Sequence, residues 1–321
     1  MKAIVRERYG RPEVLELRDV DPPTLADDQV LVCVRATLLN ASDWYDVTGP
    51  YFARPANGVL RPKRKQMAGE VAGTVEGVGA GVTTFQPGDE VFGTALGAWG
   101  ELAAARVARL ARKPANVSFE DAAAVPVAGI TALQGLRDKG GVQPGQRVLI
   151  NGASGGVGTF AVQLAKWLGA DVTAVCSTRN VEQARALGAD HVVDYTQEDF
   201  TRSGERHDVL LDIAGSRSFS KMRRVLTPKA TIVLVGGRMT YRGLGPIPHL
   251  ARTIVAGIGR SQTLAMFVAK INPDDLALLA TLLEDGKLRT VVDKRYELDQ
   301  IVEALTYFGE GHARGKVVVT V

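Results

Sequence analysis

Between Asn151 and Gly158 the sequence NGASGGVG concentrates glycine at positions 152, 155, 156 and 158. Such a composition lets main-chain N–H groups approach a pyrophosphate with no side chain between them. Ser154, Gly155, Gly156, Val157 and Gly158 are therefore the candidate phosphate cradle. A strict G-x-G-x-x-G would put its first glycine at 153, where this chain has Ala153; the turn is expected to form as long as that position needs no positive φ. An acidic residue about 20 positions past the glycines would bind the ribose 2′-hydroxyl of NAD. Cys176 stands there instead, followed by Ser177, Thr178 and Arg179. Two hydroxyls and a guanidinium suit a 2′-phosphate, so NADPH is the expected cofactor. The competing reading has Ser177 and Thr178 merely opening the next helix, with Arg179 in solvent.

A glycine run carries this meaning only between a strand and a helix, and the flanking residues supply both. Arg147 to Asn151 is a short apolar run suited to a buried parallel strand. Val157, Ala161, Leu164, Ala165 and Leu168 then recur at helical spacing, with Gln163 and Lys166 facing elsewhere, and Asp171 to Cys176 forms the next strand. Further short apolar runs at 191–195, 208–212 and 230–235 alternate with helical signals, which predicts an α/β domain with a Rossmann-type, doubly wound parallel sheet. Ligands of such sheets lie beyond the carboxyl ends of the strands. Tyr195 is accordingly expected near the adenosine, and Gly215 and Gly236 near the nicotinamide.

Residues 1 to 117 read differently. Strand candidates at 2–6, 14–19, 29–37, 71–78 and 89–93 are separated by turns such as Pro87-Gly88-Asp89, giving a β-rich domain. The segment from Ser118 opens with a capping-box-like Ser118-x-x-Asp121 and continues as an alanine-rich helix interrupted at Pro126, a bridge between domains. Residues 238 to 270 mix glycine, proline and apolar residues, and are expected to shape a substrate or subunit contact, the latter compatible with a homodimer. A helix at 274–283 and a strand at 316–321 close the chain, the strand rejoining the N-terminal domain.

At 321 residues the chain exceeds a single core, so two domains are expected. Its 39 basic and 35 acidic residues leave a net charge of +4 spread along the sequence, which does not argue for nucleic acid. The dense basic run Arg61, Lys63, Arg64 and Lys65 reads as a solvated loop. Two cysteines, Cys33 and Cys176, without a histidine cluster suggest neither a metal site nor a disulfide framework. No run approaches the 18 or so apolar residues of a membrane span, and the first residues lack an apolar signal core. A cytoplasmic protein with no membrane partner is expected.

The runs NASDW at 40–44, GEVAGTVEGVGAGVTTFQPGDEVFG at 69–93, NGASGGVG, and GHARGKVVVTV at 311–321 resemble the medium-chain dehydrogenase/reductase superfamily. The likeness is greatest to its zinc-independent, quinone-oxidoreductase-like branch. It implies a GroES-like catalytic domain from residues 1–117 and 269–321 around a Rossmann domain at 118–268. Zinc-dependent relatives carry ligands at positions that match Asn40, Gly69 and Val127 here, and none of these is a credible zinc ligand. Without a metal, hydrogen bonds must stabilise the charge that develops as hydride arrives. Asn40 and Tyr51 can donate to a carbonyl or quinone oxygen, and Thr131 to the nicotinamide carboxamide. Each has a structural alternative: Asn40 satisfying a turn, Tyr51 packed, Thr131 capping or packing a helix. Asp43 is read as structural. The expected activity is NADPH-dependent reduction of a quinone or α,β-unsaturated carbonyl compound, with a ketone or aldehyde reductase and a noncatalytic NADPH-binding protein as competing readings.

Overall fold

The computed structural model describes residues 1–237 and 247–321, which form two compact units. The first joins Met1–Ile130 to Lys270–Val321, and the second comprises 131–237 and 247–269. The first contains strands β1 (Lys2–Val5), β2 (Glu16–Asp19), β3 (Gln29–Leu39), β4 (Ala68–Val78), β5 (Glu90–Leu96), β6 (Leu102–Arg106) and β7 (Leu110–Arg112). The second contains β8 (Arg147–Asn151), β9 (Asp171–Cys176), β10 (His191–Asp194), β11 (His207–Asp212), β12 (Leu226–Leu234) and β13 (Thr263–Met266). Two last strands, β14 (Val292–Glu297) and β15 (Lys316–Thr320), return to the first unit.

β3 shows why this part of the chain is β-structure. Val30, Val32, Val34, Ala36 and Leu38 alternate into the core, while Cys33 and Arg35 face out. The main sheet runs β14-β15-β3-β4-β5-β6, with β7 on β5. β3 also pairs with β6, so the sheet curls back on itself. Trp99 fills the enclosed core and donates its indole N–H to the Leu38 carbonyl at 3.3 Å. The C-terminal segment belongs here because β15 pairs antiparallel with β3, Val317 opposite Leu39. Gly309 adds a close approach: any side chain there would overlap the Trp44 ring.

The helix Phe119–Ala123 is capped by Ser118, whose hydroxyl accepts the Asp121 N–H at 3.0 Å. Its small buried Ala122 and Ala123 seat it on β3, β4 and β5, so residues 118 to 130 pack with the first unit rather than the second. The helix Pro126–Gln134 follows after the expected break at Pro126.

The second unit's six strands are parallel and ordered β10-β9-β8-β11-β12-β13. Numbered from β8, this is the 3-2-1-4-5-6 order of a doubly wound dinucleotide fold, whose direction of winding reverses between β8 and β11. The helix Gly156–Trp167 buries Phe160, Ala161, Leu164 and Ala165. Gln163, expected outside, is buried too and donates to its own helix at Thr159 O, 2.9 Å away. Of the segment 238–270, residues 238–246 lie outside the described residues; the helix Ile247–Gly257 and β13 follow.

Candidate active site

Within the second unit, the sequence-predicted cofactor residues fall along one edge. Ser154 to Gly158 follow β8, Ser177 to Arg179 follow β9, Tyr195 follows β10, Gly215 lies past β11 and Gly236 past β12. Parallel register aligns these ends, with Asn151 opposite Val175, Cys176 opposite Asp194, and Asp212 opposite both Asn151 and Leu234. Thr131 sits half-buried in the helix Pro126–Gln134 at the first residue of this unit.

The β8 turn has the geometry an anion requires. Gly152 supplies the one left-handed step, at φ 96°, and Ala153 needs none, because no described non-glycine residue has positive φ. A side chain at Gly158 would overlap the Gly152 carbonyl, so the helix can start this close to the strand only with glycine there. Gly155, by contrast, would bring a Cβ against only the Gly152 carbonyl oxygen, at an ordinary contact distance of 3.8 Å. It caps the helix without a side-chain hydrogen bond, so the first-turn N–H groups and the positive end of the helix are left to a ligand. This cradle fits a dinucleotide pyrophosphate. At the reversal point Asn151 Nδ2 donates to Asp212 Oδ1 at 2.7 Å, and the Gly215 N–H donates to the same oxygen at 3.1 Å, tying the ends of β8 and β11 together.

At the adenosine end the three residues after β9 differ in what they can offer. Thr178 and Arg179 are exposed and Ser177 half-buried. The Thr178 hydroxyl is committed, donating to Asp194 Oδ2 at 2.5 Å, and Ser177 Oγ accepts from Asn180 Nδ2 at 3.1 Å. The Thr178 bond, with those from Thr196, holds the Asp194 carboxyl below its ordinary value. A 2′-phosphate here would be met chiefly by Arg179 and the Ser177 hydroxyl proton. Tyr195, half-exposed, donates its main-chain N–H to Cys176 O at 3.0 Å and so stands beside them.

The first unit holds a polar cluster at the end of β3. Asn40 precedes the helix Ala41–Thr48, and its amide is oriented at both ends. Lys316 Nζ donates to Asn40 Oδ1 at 2.7 Å, while Asn40 Nδ2 donates to Glu70 Oε2. An ammonium can only donate and a carboxylate only accept, so the amide has one permitted orientation. One Nδ2 hydrogen has no acceptor among the described residues. Glu70 and Lys316 are 0% and 2% exposed and lie 3.6 Å apart as an ion pair. The second Glu70 oxygen accepts the Val127 N–H at 2.7 Å, at the positive start of the helix Pro126–Gln134. The buried Asp43 carboxylate takes the Asn40 main-chain N–H at 2.7 Å. Burial raises the Asp43 pKa well above the carboxylate range, against the lowering effect of that hydrogen bond. Sequence reasoning missed Glu70 and Lys316; the available signal was one charge set into each of two apolar strands, GEVAG and KVVVTV.

The three positions matching metal ligands are thus an amide engaged by two neighbours, a residue without a side chain, and a valine whose main chain serves Glu70. That donor set does not fit zinc, and no group of three His, Cys, Asp or Glu is placed to hold a metal among the described residues. Tyr51 lies beyond the far end of the helix Ala41–Thr48, separated from Asn40 by its eight residues, about 12 Å of rise. Tyr51 is 67% exposed, and its ring carries the Arg54 guanidinium 5.3 Å from its centre.

The fold agrees with what the chain is similar to. Residues 26–115 match the alcohol dehydrogenase GroES-like domain, and residues 187–319 the zinc-binding dehydrogenase family. A 2-methylene-furan-3-one reductase of Solanum lycopersicum is 33% identical over 99% of this chain and 79% of its own. A chloroplast envelope quinone oxidoreductase homolog of Arabidopsis thaliana is 32% identical over 99% of this chain and 98% of its own. Among solved structures, the quinone oxidoreductase from Coxiella burnetii superposes with a TM-score of 0.87 at 29% identity, covering 100% and 99% of the two chains. Escherichia coli quinone oxidoreductase complexed with NADPH gives 0.83 at 25% identity over 100% of both. The chain belongs to the medium-chain dehydrogenase/reductase superfamily, in its quinone-oxidoreductase-like branch.

Proposed function

We propose that this protein is a zinc-independent oxidoreductase that passes hydride from NADPH to a quinone or an α,β-unsaturated carbonyl compound. The observation that carries the reading is the Asn40 amide, which stands at a metal-ligand position and is held by the buried Glu70–Lys316 pair with one N–H to spare. NADPH supplies the hydride. The chain's own part is to bind the pyrophosphate at Gly155 to Gly158, to meet the 2′-phosphate with Ser177 and Arg179, and to offer the Asn40 N–H to the oxygen on which negative charge gathers. Because Lys316 and Glu70 fix the amide in advance, that donor needs no reorganisation as charge develops. Tyr51 is assigned a donor role at the outer rim of the substrate site, supported by its exposure and the Arg54 cation against its ring. The names of the relatives support both substrate classes, and the cradle at β8 supports the cofactor.

Steady-state oxidation of NADPH with a quinone panel and an enone panel, with and without a chelator, tests the reading. Turnover that survives chelation is expected, falling by about 10² to 10³ in Asn40→Ala. Turnover lost on chelation and restored by zinc would refute the metal-free site. Activity on simple ketones alone, or on nothing, would replace the reading with one of its competitors.

A further inference from the structure

The basic run is exposed, as the sequence reading expected, but two of its residues also border a cavity. In the first unit, Lys63 and Arg64 stand at a cavity of about 260 Å³ whose wall also includes Arg6, Asp46, Asn57 and Gln66. Arg6 is 5% exposed. Its guanidinium makes no ion pair or side-chain hydrogen bond with any described residue, and its Nε and Nη1 are shut off from solvent without a partner. The Tyr9 ring lies 5.6 Å from Cζ, which shields the cation but offers none of its N–H groups an oxygen acceptor. Burial pulls the Arg6 pKa below its ordinary value, the opposing pull of Asp46 being smaller. A guanidinium does not discharge in a protein, so the fold maintains a buried, unmet cation.

Asp46 is the acid in the cavity wall. It is occupied on one side by the Asn57 amide, which donates to its Oδ1, and burial raises its own pKa. The cavity therefore presents three cations against one carboxyl that is itself costly to charge. We propose that this cavity binds a small oxyanion, a carboxylate or phosphate group, gripped by Arg6 at its wall and by Lys63 and Arg64 at its mouth. The exposed Arg64 guanidinium can match the paired oxygens of either group, while Arg6, whose Nε and Nη1 are sealed, adds its charge from the wall, where water is excluded. The volume admits the anionic group together with a short carbon chain. Two sources share this chemistry: a free small acid or phosphate, and an acidic group carried by the carbonyl substrate itself. Only the second rests on the proposed activity.

Calorimetric titration of the full chain with inorganic phosphate, and separately with succinate, at fixed ionic strength reads the site without any turnover. Saturable binding at one site is expected, weakened at least about tenfold in Lys63→Ala/Arg64→Ala and lost in Arg6→Gln. Circular dichroism and a thermal unfolding scan report that each variant is folded; if Arg6→Gln is not, the exposed double variant carries the test. The source is then read from KM for a carboxylate-bearing enone against its methyl ester. A KM at least about tenfold lower for the acid, equalised in the double variant, assigns the anion to the substrate. Phosphate or succinate binding with no acid–ester difference assigns it to a free ligand. Wild-type protein that shows neither saturable heat nor an acid–ester difference overturns the site, as does binding that both variants leave unchanged. A neutral quinone turned over normally in the same preparation would separate that failure from failure of the reductase reading.

Discussion

Replacing Lys316 by methionine removes a charge and keeps most of the stem, so it isolates what the buried pair contributes. The ammonium lies 3.6 Å from Glu70 Oε2 and donates to Asn40 Oδ1 at 2.7 Å. Without it Glu70 remains fully buried, holding the Val127 N–H and the Asn40 amide but no counter-charge. Leaving one partner of a buried ion pair behind costs about 3–5 kcal/mol. The two surviving hydrogen bonds to Glu70 place this case near the lower end, about 3 kcal/mol. For a unit of about 180 residues, each kcal/mol lowers the midpoint by about 2–4 °C, which gives a drop of about 6–12 °C. Thermal and urea unfolding of Lys316→Met, Glu70→Gln and the double variant form the test. The double variant should recover most of the loss, because it leaves no unpaired charge. Quinone turnover gives a second readout: in the single variant Asn40 Oδ1 has lost the donor that fixed its orientation, so kcat should fall while NADPH affinity holds. A single variant within about 1 kcal/mol of wild type, or losses that simply add in the double variant, would refute the argument that this pair organises Asn40.

Arg179→Ala should weaken NADPH by about 1.5–3 kcal/mol and NADH far less, measured by fluorescence titration; equal losses would remove Arg179 from the 2′-phosphate. Asp43 has a folded pKa raised by burial, so the folded state holds its proton over a window where the unfolded chain, at about 4, has lost it. Stability therefore falls as pH rises through that window and is fully retained below it. Asp43→Asn keeps an acceptor for the Asn40 N–H and should gain on wild type in thermal unfolding scans as pH increases, whereas a gain confined to low pH would reverse the sign. Burial pushes the Cys176 thiol up to about 11, while Cys33 is exposed; titration of native protein with a thiol reagent near neutral pH should count one group, and denatured protein two. Tyr51→Phe should lower turnover with bulky quinones without changing NADPH affinity, and an unchanged kcat/KM across the panel would withdraw Tyr51.

How far the sequence reached follows from which interactions are local. The strand–turn–helix was legible because its parts are neighbours in the chain: β8, the Gly152 step, the Gly158 contact and the helix all lie within residues 147–167. Even the Ala153 departure could be weighed from backbone geometry alone, and its φ confirms that the position tolerates a side chain. A strand went unread where tertiary pairing overrode composition. Leu102 to Arg106, LAAAR, has the alanine content of a helix, yet it is a strand because β3 and β5 present open edges to it. The helix Ala41–Thr48 was missed for a related reason, since NASDW was read for its polar residues and not for its periodicity.

The Asn40 cluster was only half legible because its decisive partner is remote. Asn40 and Lys316 are separated by 276 positions, and nothing near either one signals the other. What joins them is the return of the chain after the Rossmann unit, which lays β15 against β3 and brings a lysine to the end of the strand that Asn40 follows. Lys316 begins β15 and is buried as soon as the strand forms, so it needs a carboxylate, and Glu70 on β4, one strand beyond β3, supplies one. Asn40 then sits between an obligate donor and an obligate acceptor, which is a stronger constraint on an amide than any turn could impose. The same logic separates the two basic features of the unit. Lys316 is a buried cation with a buried acid to match it, and its role is to position; Arg6 is a buried cation with no ion-pair partner among the described residues, and a cation left in that state calls for an anion from outside the chain.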